Sequence, residues 1–225
     1  LRFRSPDVTK DARMTDHKSF GIARTQRTLG PIWLTEGVTP GNALTLFFSS
    51  MVTIVFITAI GILLPYLLHE HLKMPTEVQG NFTGNLVVIL ELIAIAIAIP
   101  IGAASDRWGR RPLFTVGFLM VFVGLVFLPM ARTEATLILF RLISGAGLSI
   151  GTTMLATTIA DYPQNASRGK FISTNGVITI IGVIVLSAFV FAQLPKFFLG
   201  AGADQYEAGT YTFWAMAAFA LLTAL

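Results

Sequence analysis

Residues 102–112 read GAASDRWGRRP, with one acid and three arginines packed into positions 106–111 between two long runs of hydrocarbon side chains. What flanks the stretch decides the fold. The chain has 225 residues, 54% hydrophobic and 12% charged, with a mean hydropathy of +0.72, against roughly 25% charged in an ordinary soluble domain. A membrane-spanning helix needs about 20 mostly apolar residues. Five runs reach that length, at 43–68, 81–101, 112–131, 135–160 and 171–194. A sixth begins at Tyr211 and reaches Leu225 after 15 residues, about 22 Å of helix against a hydrocarbon core of about 30 Å. The composition predicts an all-α integral membrane protein in which residues 43–225 form a bundle whose sixth helix is cut short.

Charge placement predicts the topology. Seven basic and four acidic residues fall in the first 42 positions, so residues 1–42 read as a polar leader. Residues 1–13 have no starting methionine and no apolar core of a signal peptide; Met14 is the expected natural start, with 1–13 outside native coding sequence. The leader ends in TPGNAL, where Thr39 can cap and Pro40 can occupy the first turn of a helix. Lysine and arginine are retained on the cytoplasmic side of a membrane. The leader holds seven, the 102–112 loop three and the DYPQNASRGK loop two, whereas the alternate loops hold only Lys73, Arg132 and Lys196. The amino terminus and residues 102–112 are therefore expected in the cytoplasm. The same distribution explains the net charge of +4 without nucleic acid, because the basic residues sit between apolar runs. The chain contains no cysteine, which excludes disulfides.

Residues 102–112 thus join the second and third helices. Gly102 and Gly109 suit a tight turn, Arg110 and Arg111 stand at headgroup level, and Pro112 opens the next helix. Asp106 adds nothing to a positive-inside bias, so it is expected to accept hydrogen bonds from a helix amino terminus or a nearby arginine. The alternative reading is a plain topology signal.

The stretch resembles the loop signature of the major facilitator superfamily, Gly-x-x-x-Asp-Arg-x-Gly-Arg-Arg/Lys, which joins helices two and three on the cytoplasmic side. Gly102, Asp106, Arg107, Gly109, Arg110 and Arg111 match; Ala104 stands where leucine is usual and Phe114 where an aliphatic is usual. RLISGAGLSIG, 141–151, resembles the family's Arg-x-x-x-Gly-x-Gly pattern in helix four, and ADYPQNASRG places Asp161 seven residues before Arg168, as that family does at the inner end of helix four. The resemblance implies the amino-terminal six-helix half, a 3+3 inverted repeat, of a twelve-helix secondary transporter working by alternating access. It implies that the loop is a conformational latch, with Asp161 a candidate partner for its arginines. The Gly-Pro-rich signature of drug/proton antiporters is absent from helix five, STNGVITIIGVIVLSAF.

Other candidates come from the residues themselves. Glu91 lies ten residues from either end of the second run, near the midplane, where an acid costs about 2.5–3.5 kcal/mol even on the lenient insertion scale. It reads either as the partner of Arg141 or as a proton or cation site. Arg141, Gly145, Ser149, Thr152 and Ala156 recur at helical spacing and share one face of helix four. Thr45, Ser49 and Thr53 on helix one, and Asn175, Thr179 and Gly182 on helix five, are further small or polar positions. Of these, Ser49, Thr53, Gly145, Ser149, Thr152, Asn175 and Thr179 are the candidate cavity lining, with Asn175 the costliest to bury without partners. Helix three, FTVGFLMVFVGLVFLP, reads as lipid-facing. His69 and His71 flank Glu70 at a helix end, but two histidines two positions apart with no third ligand nearby read as interfacial polar residues, not as a metal site.

No nucleophile, metal-ligating or phosphate-binding constellation is present, so no cofactor and no enzymatic reaction are expected. The expected partners are a small-molecule solute, a coupling proton, the lipid bilayer and the remaining half of the same chain. The expected location is a bacterial inner membrane. The competing readings are a complete six-helix scaffold or sensor and a facilitative uniporter; a channel would show a filter-like ring or a re-entrant segment, and none is visible.

Overall fold

The computed structural model describes residues 28–224. Seven α-helices run in order: α1 Pro40–Glu70, α2 Thr76–Trp108, α3 Arg110–Phe127, α4 Glu134–Asp161, α5 Arg168–Gly182, α6 Leu194–Gly200 and α7 Gln205–Ala224. Between α5 and α6 the rod continues through a π-helical stretch, Val183–Val190, and a short 3-10 turn. Five rods, with 165–200 counted as one, are long and apolar enough to cross a membrane.

Local chemistry sets the helix starts. The Thr39 hydroxyl accepts a hydrogen bond from the Asn42 amide at 3.1 Å, with Pro40 directly behind it, as the leader sequence predicted. At α4, Thr133 and Thr136 exchange side chain-to-amide bonds at 3.2 Å in a reciprocal cap. Such a cap stabilises a helix by about 1 kcal/mol.

The sixth helix starts at Gln205, six positions before the apolar run at Tyr211, because Asp204 accepts from the Glu207 amide at 2.7 Å and starts the turn among polar residues. The helix is therefore 20 residues long. Hydropathy locates where lipid can be tolerated, whereas hydrogen bonding locates where a helix begins.

α1 lies at the centre, packed against α4, α5 and α7, with Val52, Val55, Phe56, Ala59, Ile60 and Leu67 fully buried. The most extensive pairing is α3 with α4. There Gly147 meets Gly117 so closely that an added Cβ would stand 2.4 Å from the Gly117 carbonyl oxygen. Close approach of this kind holds apolar helices together where no hydrophobic driving force separates helix from lipid. Helix three, read as lipid-facing, has one open face and one face packed on its neighbours. Gly117, Phe118, Val121, Gly124 and Leu125 are buried against neighbouring helices, while Val116, Leu119, Val123 and Phe127 form an open face. An apolar side chain does not distinguish lipid from another helix. The most exposed rod is α2, in which Leu86 is the one buried residue.

The leader is not wholly without structure. Thr28–Leu29 (β1) and Ile32–Trp33 (β2) pair antiparallel, and Leu34 bridges to Pro163 in the α4–α5 connection. Residues 1–27 lie outside the described part of the chain.

Candidate functional site

The 102–112 stretch is a turn of a single residue. α2 runs unbroken through Gly102 to Trp108, Gly109 takes φ +83°, and α3 starts at Arg110. The left-handed φ explains a glycine at 109. Gly102 is corrected: it is a helical residue with open space where a Cβ would stand, since nothing in AASDRW stops a helix before Gly109. Asp106 sits exposed in the last turn of α2, and among the described residues it makes no hydrogen bond or ion pair. Neither the helix amino terminus nor the arginine expected for it reaches its carboxylate. Arg107 and Arg111 are likewise exposed and unpaired among the described residues.

Arg110 is the arginine that finds a carboxylate. It donates from Nη2 to Oδ2 of Asp161, joining the start of α3 to the end of α4. Arg168 instead donates to the Ala160 carbonyl at 3.0 Å, capping α4. Beside the ion pair lies a cleft of about 350 Å³ lined by Thr45, Ser49, Arg110, Arg111, Thr158 and Tyr162, among others. Ser49 thus belongs to this end of the bundle. Thr53 lies apart from this cleft, against a small closed gap between α1, α3 and α4: it is 1% exposed, packs on Gly151, and its hydroxyl is satisfied by the Ser49 carbonyl at 2.7 Å.

At mid-height, two pockets lie on either side of Thr152. The first, about 310 Å³, is lined by Glu91 and Ala94 of α2, Ile57 of α1, and Arg141, Gly145, Ser149 and Thr152 of α4. Gly145 earns its place through packing, because Leu90 of α2 occupies the position its Cβ would take, at 2.3 Å. Ser149 and Thr152 return their hydroxyl protons to carbonyls of their own helix, at 2.9 and 3.0 Å. Arg141 is 9% exposed, and its Nε has no hydrogen-bond partner. Glu91 faces the same pocket but is exposed and forms no ion pair with it. A buried cation and an acid therefore share one cavity unjoined.

The second pocket, about 420 Å³, is lined by Ser50, Ile54, Thr152, Asn175 and Thr179, among others. Asn175 is 8% exposed; its amide donates to the Ser50 hydroxyl at 3.0 Å, leaving Oδ1 with no partner. The Thr179 hydroxyl is also buried and unpartnered. Such groups carry a desolvation penalty of about 1–3 kcal/mol until something satisfies them. Ser50 is absent from the sequence-derived candidates. Its signal was a second serine beside Ser49, pointing to the adjacent helix face.

At the opposite end, His69 is exposed, whereas His71 is buried. The His71 ring donates from Nδ1 to the Pro129 carbonyl at 2.8 Å and stacks on Tyr206 at 4.2 Å. Burial holds its pKa below the ordinary histidine value. The reading of His71 as an interfacial polar residue is corrected: it is a packing residue joining α1, the α3–α4 connection and α7. Among the described residues no group of three His, Cys, Asp or Glu side chains is placed to hold a metal ion.

A bundle of five rods long and apolar enough to cross a membrane, with charged and polar pockets between them, is the architecture of a multi-pass membrane protein. The sequence profile of the Major Facilitator Superfamily matches residues 46–225, and the chain belongs to that superfamily. It is 27% identical to Magnetosome protein MamH of Paramagnetospirillum magneticum over 158 residues, 67% of this chain and 36% of that protein. It is 30% identical to the arabinose-proton symporter of Bacillus subtilis over 59% of this chain and 27% of the symporter. The fold matches the proton:xylose symporter XylE with a TM-score of 0.63 at 17% identity, covering 81% of this chain and 42% of XylE. The chain spans less than half the length of each of these proteins.

Proposed function

We propose that this chain is the amino-terminal half of a secondary transporter that carries a small solute by alternating access, with the coupling proton bound at Glu91. The observation that carries the reading is the pair Glu91 and Arg141, an acid and a buried base lining one mid-height cavity without joining. A permanently paired acid would have no reason to exchange a proton, whereas an unpaired one can charge and discharge as its surroundings change. Asn175 Oδ1 and the Thr179 hydroxyl, buried without partners, are then contacts for hydrogen-bonding groups of the solute. A sugar is the first class to test, given the arabinose-proton symporter this chain is similar to. The two least buried rods, α2 and 165–200, are the surfaces on which the second half of the transporter would pack. Arg110 and Asp161, with Gly102, Asp106, Arg107, Gly109, Arg111 and Arg168 around them, form the cytoplasmic latch that favours one of the two states.

The test uses the full-length protein in liposomes with labelled arabinose and xylose. An imposed pH gradient is expected to drive accumulation of one of them. Glu91→Gln is expected to abolish accumulation while leaving equilibrium exchange of the sugar. Undiminished uphill transport by Glu91→Gln eliminates the proton site. The proposed location is a bacterial inner membrane with the amino terminus in the cytoplasm. A cysteine at exposed Lys73 should then react with an impermeant thiol reagent in intact cells, whereas one at Trp108 should not; the reverse pattern overturns the orientation.

A further inference from the structure

The segment before α1 lies outside the residues matched by the superfamily profile, which begin at 46, yet it is tied to the latch by an ordered set of hydrogen bonds. The Thr35 amide donates to the Tyr162 carbonyl at 2.9 Å, and the Thr35 hydroxyl donates to the carbonyl of Asp161 itself at 3.0 Å. On the other side, Gln164 donates from its amide to the Trp33 carbonyl at 3.0 Å and from Nε2 to the Leu34 carbonyl at 2.9 Å. Ser167 Oγ lies 3.0 Å from the Trp33 amide and 2.8 Å from the Trp33 carbonyl. Ile32 and Leu34 are buried against Phe47 of α1, Leu155 of α4 and Phe171 of α5, so the tie has an apolar anchor as well as polar bonds.

The last carbonyls of a helix have no partner within it. At the end of α4 that need is met from a distant part of the chain, and the carbonyl of Asp161 is one of those met. The carboxylate on that same residue holds Arg110. We infer that residues 32–35 are a strap that positions Asp161, with Thr35 the positioning residue, so that the Arg110–Asp161 pair depends on a segment preceding the first helix. The strap also joins the start of α1 to the α4–α5 connection, which makes Asp161 the point where two separate links between the bundle's first and second three helices converge. This inference rests on the reading of Arg110 and Asp161 as a latch.

The chain has no cysteine of its own, so a single reporter can be placed at Thr45, an exposed residue lining the cleft beside the pair. In the full-length protein, with cysteine confined to that reporter, the rate of N-ethylmaleimide modification measures how open the cleft is. Thr35→Val removes the hydroxyl while keeping the amide and the shape. It is expected to change the rate about fivefold, the scale of one hydrogen bond; Thr35→Ser is expected to restore the parent rate. With Asp161→Asn already present, Thr35→Val is expected to add nothing. A parent rate in Thr35→Val, or a change of the same size with Asp161→Asn present, overturns the strap. A simple loss of packing would instead lower the melting temperature and add to the effect of Asp161→Asn, which also counts against it. If Asp161→Asn alone leaves the rate unmoved, the latch reading falls separately, and the strap's route through Asp161 falls with it.

Discussion

Arg110 and Asp161 at the end of the bundle are joined, whereas Arg141 and Glu91 at mid-height are not, although each pair consists of an arginine and a carboxylate on helices that pack together. The physical settings invert the expected importance of the two. The Asp161 side chain is 59% exposed, and an exposed pair contributes only about 0–1 kcal/mol. Such a pair can tip an equilibrium between two states without locking either. At mid-height the surroundings are apolar, and an unpaired charge is costly to hold there. On the proposed function, water, solute or a second half of the transporter compensates the charges kept apart at that depth. The exposed pair is suited to biasing a motion, the separated one to binding something during it.

The largest effect that would break this comparison is at Arg141. Arg141→Leu should reduce proton-driven sugar accumulation at least about a hundredfold, because the buried charge opposite Glu91 disappears. Glu91→Gln should yield a well-folded protein, since its carboxylate holds no partner among the described residues. If Glu91→Gln expresses poorly and Glu91→Gln with Arg141→Gln restores folding, the two are paired after all and the contrast collapses. A smaller effect belongs to Asn175. Asn175→Ala removes a buried acceptor without removing charge, and a rise in apparent KM of about tenfold at unchanged expression would mark it as a solute contact. An unchanged KM with a lower melting temperature would make it a packing residue.

Asp161→Asn should change the transport rate by no more than about fivefold, in keeping with an exposed pair, and high salt should mimic part of the change. A loss approaching that of Arg141→Leu would mean that the rim pair is not a light bias. The smallest expected effect is at His71. Its folded pKa lies below the ordinary value of 6.5 because burial disfavours the imidazolium. Just below that pH the unfolded state binds more protons than the folded one, so stability is full above it and falls as pH drops through it. The melting midpoint in detergent should decline between pH 7 and 5.5, and His71→Gln should flatten that decline.

Several features were legible in the chain before any contact was known. The five spans, the Thr39 cap and a turn residue at Gly109 depend on neighbours in sequence, and local propensity and hydropathy determine them; that the turn is a single residue, with Gly102 inside α2, came only from the structure. The joining of Asp161 to a loop arginine followed from the resemblance, but which arginine did not, because Arg107, Arg110 and Arg111 are chemically alike and only helix phase separates them. Thr53 and Asn175 were both read as candidate cavity lining, with Asn175 the costlier to bury, but the sequence did not say what either would bond. One bonds its own helix and the other reaches Ser50 across 125 positions, a difference no spacing rule contains.

By itself, then, the sequence determined that this chain spans a membrane several times, which stretches are the apolar spans and which superfamily it resembles, since desolvation of the backbone and the cost of buried charge act residue by residue along the chain. Only the tertiary structure decided that Leu90 seats on Gly145, that Gly117 meets Gly147, that His71 is buried and that Thr35 reaches the carbonyl of Asp161. Those outcomes depend on which face of one element meets which face of another, and in an apolar chain many faces are nearly equivalent until close packing and the pairing of the remaining polar groups choose among them.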